Sequence, residues 1–192
     1  MADFKHLIPF ILKAEGGLSK NTADTASKNP VPDGSGYHTN KGLTWTVFSG
    51  VFGIGEDSVK RFYTMNEDDW GTIFKKLYWD QTLGDQITSQ RIADIICDWV
   101  WGSGKHYPEV DVQDILIHTF GAHITADGNF GPHTIEAINS VDEQKLWDAI
   151  VEKRFWYLDQ IVLAHPSQGI WLKGWKNRMN NLIAFEMPAP NV

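Results

Sequence analysis

The chain holds a single cysteine, Cys97, among its 192 residues. One thiol cannot form an intrachain bridge, so a disulfide-built scaffold is excluded, and no cysteine set exists for a zinc or iron–sulfur centre. Basic residues are scarce too: 17 Lys and Arg face 24 Asp and Glu, a net charge of −7. Binding to nucleic acid or to an anionic membrane rests on positive charge, so both are disfavoured as partners. No apolar stretch nears the roughly 20 residues that span a bilayer, so stable membrane insertion is not expected. The N-terminal apolar run, Leu7 to Leu12, is only six residues long. Asp3 sits where a secretory leader would be basic, and no small-x-small cleavage site follows. This end therefore reads as an amphipathic helix of the folded protein, not a signal peptide.

Most stock catalytic and ligand motifs are missing as well. Gly53-x-Gly55 follows no strand, so it is a poor dinucleotide loop. There is no phosphate-binding G-x-x-x-x-G-K-S/T, no H-E-x-x-H and no G-x-S-x-G. His133-x-x-Glu136 shares a short helix face without further ligands, and a solvated face is its better reading. Asp127-Gly128-Asn129-Phe130-Gly131 lacks the alternating oxygen ligands of a calcium loop. Neither a metal nor an organic cofactor is expected.

What is present is aromatic and helical. Aromatics make up 12% of the chain, with nine Trp. Phe4, Leu7, Ile8, Ile11 and Leu12 recur at helical spacing, with Pro9 expected to start or kink that helix. Thr44 is a candidate N-cap for a helix to about Ser49. Asn66 is another, ahead of Glu67, Asp68 and Asp69, with Lys75 and Lys76 in the last turn and an apolar stripe of Trp70, Ile73, Phe74, Leu77 and Tyr78. After Ser89 come Ile92, Ile95, Ile96, Trp99 and Val100. Pro108 to Phe120 carries Val112, Ile115, Leu116 and Thr119. Pro132 opens a short helix with Ile135 and Ile138, and Ser140-x-x-Glu143 reads as a capping box for the longest helix, to about Leu163. A last helix runs from about Gly169 to Glu186. The predicted fold is all-α. Trp101-Gly102-Ser103-Gly104 is the one Gly/Ser break between strong helices, which divides the chain into residues 1–103 and 104–192, two halves expected to pack together.

The exception to helical periodicity is the stretch from Gly16 to about Gly42, rich in Gly, Pro, Asn and Asp. Loops of that length in compact domains are commonly functional, and a short hairpin fits inside it. Glu15 stands at its entrance, at the end of an apolar helix. A carboxyl placed there, partly desolvated and beside the negative end of a helix dipole, is suited to hold a proton and act as general acid. A surface glutamate before a capping glycine is the plainer reading of position alone. Asp24 and Asp33 are candidate second carboxylates for holding water or steadying an oxocarbenium ion, and Thr39 and Thr44 are candidates to donate or orient. Their plainer readings are Asx-turns and, for Thr44, a helix cap. Among the aromatics, Tyr37, Trp45 and Trp101 lie beside loops and suit a sugar face better than Trp70 and Trp99, which fall on apolar stripes.

Glu15-Gly16-Gly17, followed by Asp33-Gly34-Ser35-Gly36-Tyr37-His38-Thr39-Asn40-Lys41-Gly42-Leu43-Thr44, resembles the signature of glycoside hydrolase family 108, lysozyme-like muramidases of phage-endolysin and secretion-activator type. Tyr78-Trp79-Asp80 resembles the end of the hydrolase segment. Asp98 to Gly104 and Asp127-Gly128-x-Phe130-Gly131-x-x-Thr134 resemble the peptidoglycan-binding segment that follows, which makes Asp127 and Phe130 candidates for substrate binding. Leu18 departs from the family's aromatic at that place. The loop between Glu15 and Thr39 is about ten residues longer than the family's, so its aspartate corresponds to Asp33 or Asp24. Gly102 stands where an Asn is expected.

The resemblance implies a lysozyme-like helical fold with a long functional loop after the first helix. It implies cleavage of the β-1,4 bond between N-acetylmuramic acid and N-acetylglucosamine, with Glu15 as acid. The partner is then the peptidoglycan glycan strand, reached from the cytoplasm through a holin-like pore or by lysis. A lytic transglycosylase and a non-catalytic wall-binding secretion accessory are the alternatives.

Overall fold

The computed structural model describes residues 1–20 and 29–187. The chain groups into two compact units. One is Ile11–Lys76, and the other joins Met1–Phe10 to the chain from Leu77 onward. Among the described residues the fold is all-α and lysozyme-like, with one small hairpin, and no helix is long and apolar enough to cross a membrane.

Helix α1 (Phe4–Ala14) keeps Pro9 in its interior. The ring removes the bond to the Lys5 carbonyl, yet the helix continues, because Leu7 and Ile11 on its apolar stripe are both fully buried. In the Ile11–Lys76 unit follow the hairpin strands β1 (Thr39–Asn40) and β2 (Leu43–Thr44), then α2 (Trp45–Phe52), α3 (Glu56–Tyr63) and α4 (Glu67–Phe74). Its core is aromatic. Trp45 stacks on Phe48 at 6.0 Å, Phe62 meets both edge-on at 5.4 and 5.3 Å, and Trp70 stacks on Phe74 at 5.0 Å. Asn66 caps α4 as its sequence predicts, accepting from the Asp69 amide at 2.8 Å.

The expected stripe of α4 does not run to Tyr78. A single π-helical turn, Lys75–Trp79, follows α4, and its wider spacing shifts the register. Trp79 is therefore fully buried, while Leu77 is exposed and Tyr78 half-buried.

The other unit is built around α5 (Gln90–Ser103), capped by the Ser89 hydroxyl, which accepts from the Ile92 amide at 3.3 Å. Every residue from Ile92 to Val100 is buried, so the helix is covered on all sides. Helices α6 (His106–Phe120) and α8 (Glu143–Ala164) pack against it, α7 (Pro132–Ser140) packs on α6, and α9 (Gly169–Glu186) packs on α8. Burying α5 on every face also buries its acids. Asp98 is paired with Arg154 at 2.9 Å and Arg178 at 2.7 Å. Asp94 contacts His6 at 2.7 Å, and burial pushes its pKa up to about 7.

Two local features differ from the sequence expectation. Thr119 is exposed and not part of the α6 stripe. Ser140 is the last residue of α7, so it is not the cap of α8; Asp142 is, accepting from the Lys145 amide at 2.8 Å. Glu143, freed from a capping box, binds Ser89 at 2.7 Å and Arg91 at 2.6 Å.

Candidate active site

Glu15 is placed by α1. Its amide donates to the Ile11 carbonyl at 3.1 Å, which fixes it as the residue leaving the helix, with a half-buried side chain. The chain then turns away, and Ser19 forms an antiparallel bridge with Thr39, its amide 2.7 Å from the Thr39 carbonyl. Thr39 opens the hairpin, whose register pairs Thr39 with Thr44 and Asn40 with Leu43. The two residues between, Lys41 and Gly42, have φ of 49° and 78°. Positive φ at both central positions is the type I′ pattern, whose twist suits a two-residue hairpin.

Gly42 also leaves room for Glu15. A Cβ placed on it would fall 2.6 Å from Oε2 of Glu15 and 2.8 Å from its Cδ. The candidate acid therefore lies directly on the turn, in space that only glycine leaves open. The turn itself is clamped from three sides. Asn40 donates to the Phe62 carbonyl at 2.7 Å, Lys41 to the Met65 carbonyl at 2.9 Å, and the Trp70 indole to the Lys41 carbonyl at 2.9 Å. Thr44, across from Thr39, accepts from the Val47 amide at 3.3 Å and is the N-cap of α2. Glu15, on the far side of the long loop in sequence, thus meets the hairpin that Thr39, Gly42 and Thr44 build.

Asp33 is exposed and stands in a network of its own. Its Oδ1 accepts from the Ser35 amide at 2.9 Å and from the Ser35 hydroxyl, and its Oδ2 from the Tyr63 hydroxyl at 2.8 Å. The Ser35 hydroxyl and amide, helped by Tyr63, hold its pKa below the usual carboxylate range. The buried His38 reaches the Ser35 hydroxyl at 3.0 Å. Asp33 is therefore an Asx-turn residue kept as an anion. Asp24 lies outside the described residues.

The aromatic candidates separate. Tyr37 is 39% exposed and available to a ligand. Trp45 is 2% exposed and belongs to the core, a correction to its reading as a sugar platform: opening α2, it turns inward onto Phe48 and Phe62. In the other unit, Trp101 is half-buried, 4.6 Å from the Tyr78 ring. Phe130 is buried as well, its amide donating to Glu109 at 3.3 Å, so it holds the turn from within. Asp127 is exposed and is held below its usual range by the Asn129 amide and Gln113.

Several residues that build these sites carry no sequence signal strong enough to find them. Tyr63 and Trp70 read as ordinary helix aromatics. Gln113 reads as a polar helix residue, yet it donates to Asp127 at 3.0 Å and accepts from the Gly128 amide at 2.9 Å. Only its spacing from Glu109, one helical turn on the same face, hints at a shared task.

The chain is related to known proteins. Residues 107–180 match the family model described as Predicted Peptidoglycan domain. No curated protein matches the chain. Among solved structures it resembles that of Brucella abortus SagA, with 18% identity, a TM-score of 0.64 and coverage of 98% of both chains, a likeness of fold. Residues 8–104, more than half of the chain, match the model described as Glycosyl hydrolase 108; the chain belongs to that family.

Proposed function

We propose that the protein is a peptidoglycan hydrolase of N-acetylmuramidase type, cutting the β-1,4 bond between N-acetylmuramic acid and N-acetylglucosamine. The observation that carries this reading is the Glu15 carboxylate resting on the clamped Gly42 turn, since a general acid must be held in one place to protonate a leaving oxygen. Membership of the glycosyl hydrolase 108 family and the predicted peptidoglycan domain support the substrate class.

In this reading Glu15 protonates the glycosidic oxygen as the bond to the anomeric carbon breaks. Water, steered by Asp33 or Asp24 and assisted by Thr39 or Thr44, adds to the oxocarbenium-like centre. Asp33, held as an anion, is the right charge to stabilise that centre. The exposed Tyr37 and the half-buried Trp101 offer rings to a sugar face, and the segment from about residue 104 grips glycan or stem peptide through the surface near Asp127. The enzyme is made in the cytoplasm and meets the wall through a holin-type pore or on lysis.

One observation favours a second reading. Both Asp33 oxygens already accept bonds, Oδ1 from Ser35 of its own loop and Oδ2 from Tyr63 of α3, which suits a lytic transglycosylase acting through Glu15 without an activated water. Digestion of purified sacculi by the wild-type protein and Glu15→Gln, with products identified by mass spectrometry, tests both. Reducing-end muramic acid from wild type alone is the expected result. Anhydro ends would establish the transglycosylase. Binding to sacculi without cleavage would overturn the enzyme reading and leave a wall-binding accessory.

A further inference from the structure

Away from Glu15, three side chains of one compact unit converge in a cluster with no part in the proposed hydrolysis. His6 of α1, Asp94 of α5 and Glu186 of α9 each present one ligand atom, and these atoms all lie within 4.8 Å of one another. His6 Nδ1 is 2.7 Å from Asp94 Oδ2 and 3.8 Å from Glu186 Oε1. The Asp94 side chain is fully buried and that of Glu186 is 4% exposed. Glu186 Oε1 is buried without a hydrogen-bond partner, although it points into this cluster. Asp94 and Glu186 hydrogen-bond to each other, but a buried carboxyl oxygen left without a partner is costly, and a cation shared by the three groups would supply one.

We propose that His6, Asp94 and Glu186 form a binding site for a zinc-class divalent transition-metal ion. The donor set decides the class. One imidazole nitrogen with two carboxylates suits zinc and its neighbours, whereas calcium and magnesium take oxygen-rich shells of six or more ligands. Bonds of about 2.0–2.2 Å to a tetrahedral ion would set the ligand atoms about 3.4 Å apart, so the present spacing needs only small side-chain shifts. Gln90 holds the other Asp94 oxygen at 3.0 Å, the outer-shell support that orients a ligating carboxylate. The His6 side chain is 44% exposed, which gives an ion an entrance and leaves the fourth position to water. Bound there, the ion ties the last residue of α9 to α1 and α5, next to the Phe185 ring, which lies 4.9 Å from that of His6. Its role is to close the unit, not to cleave substrate.

The test uses untagged, chelator-stripped full-length protein, with zinc chloride as the probe. Calorimetry is expected to show one tight equivalent, and free zinc about 100-fold above Kd should raise the Tm by about 5–10 °C. Magnesium and calcium should do neither. Glu186→Gln, which keeps the side chain's shape, and His6→Ala should both lose the tight equivalent and the zinc-dependent shift. His133→Ala, at an exposed surface pair, should retain them. Absence of a zinc-dependent shift in wild type, or an undiminished tight equivalent in His6→Ala or Glu186→Gln, would overturn the site. Neither result depends on peptidoglycan cleavage, so failure here leaves the hydrolase reading standing, and failure of that reading leaves this one.

Discussion

The Glu15 carboxylate lies against the α-carbon of Gly42, so that a methyl group there would fall 2.6 Å from Oε2. A first-helix terminus and a hairpin turn, 27 positions apart in the chain, thus share one small volume. Gly42→Ala is expected to displace the carboxylate and strain a backbone with φ of 78°. Activity on sacculi should fall by at least about 10-fold, because a displacement on the order of 1 Å costs that much or more, with stability lowered by roughly 1–2 kcal/mol. Gly50→Ala in α2, where a Cβ meets nothing within 4 Å, should keep activity and match or exceed wild-type stability. Equal activity in the two variants would show that the contact does not position Glu15.

Tyr63→Phe removes one of the hydroxyls that hold Asp33 below the usual carboxylate range. The Asp33 pKa should rise toward its ordinary value, as read by carboxyl carbon NMR titration. A depressed folded pKa contributes stability above the ordinary value of 3.8 and loses it as pH falls through the folded value. Tyr63→Phe should therefore flatten the acid limb of the stability curve. An unchanged Asp33 titration would remove Tyr63 from the network.

Glu109 behaves in the opposite sense. Burial pushes its pKa up from 4.5 to about 7, although Lys105 lies 3.7 Å away. A raised acid favours the fold while protonated, so its cost grows as pH rises from about 4.5 to about 7 and then levels. Glu109→Gln can still accept from the Phe130 amide and carries no charge. It should stabilise the protein by on the order of 2 kcal/mol at pH 8 and by little at pH 4.5, measured by urea denaturation. A gain independent of pH would point to packing instead of ionisation.

Asp98 is the anion on which two arginines depend. Its removal leaves Arg154, whose side chain is 8% exposed, buried without its counter-charge. Asp98→Ala should cost about 3–5 kcal/mol in denaturant unfolding, and Arg178→Ala, at the more exposed partner, clearly less. Similar losses for both would mean that Arg178, and not Arg154, is the critical partner.

Caps at Thr44 and Asn66 were legible in the sequence because a cap is a bond between a side chain and an amide three residues on. The α5 stripe was legible because its period is that of the helix. The Ser140 capping box failed on the same local scale: the pattern was present, but α7 had already taken Ser140 as its last residue. The π-turn at Lys75–Trp79 has no local signature, and it decided which of Leu77, Tyr78 and Trp79 is buried.

For the candidate site, local patterns in the chain reveal the parts: a glutamate at a helix end, a glycine in a threonine-flanked turn, and a long polar loop between them. That Glu15 rests on Gly42, that Trp45 turns inward, and that Tyr63 and Trp70 hold the loop and turn in place comes from the packing of distant segments. Periodicity and capping are set by neighbours within about one helical turn. Burial and close approach depend on which distant surfaces meet, and that is fixed only when the apolar faces of the separate helices pack together.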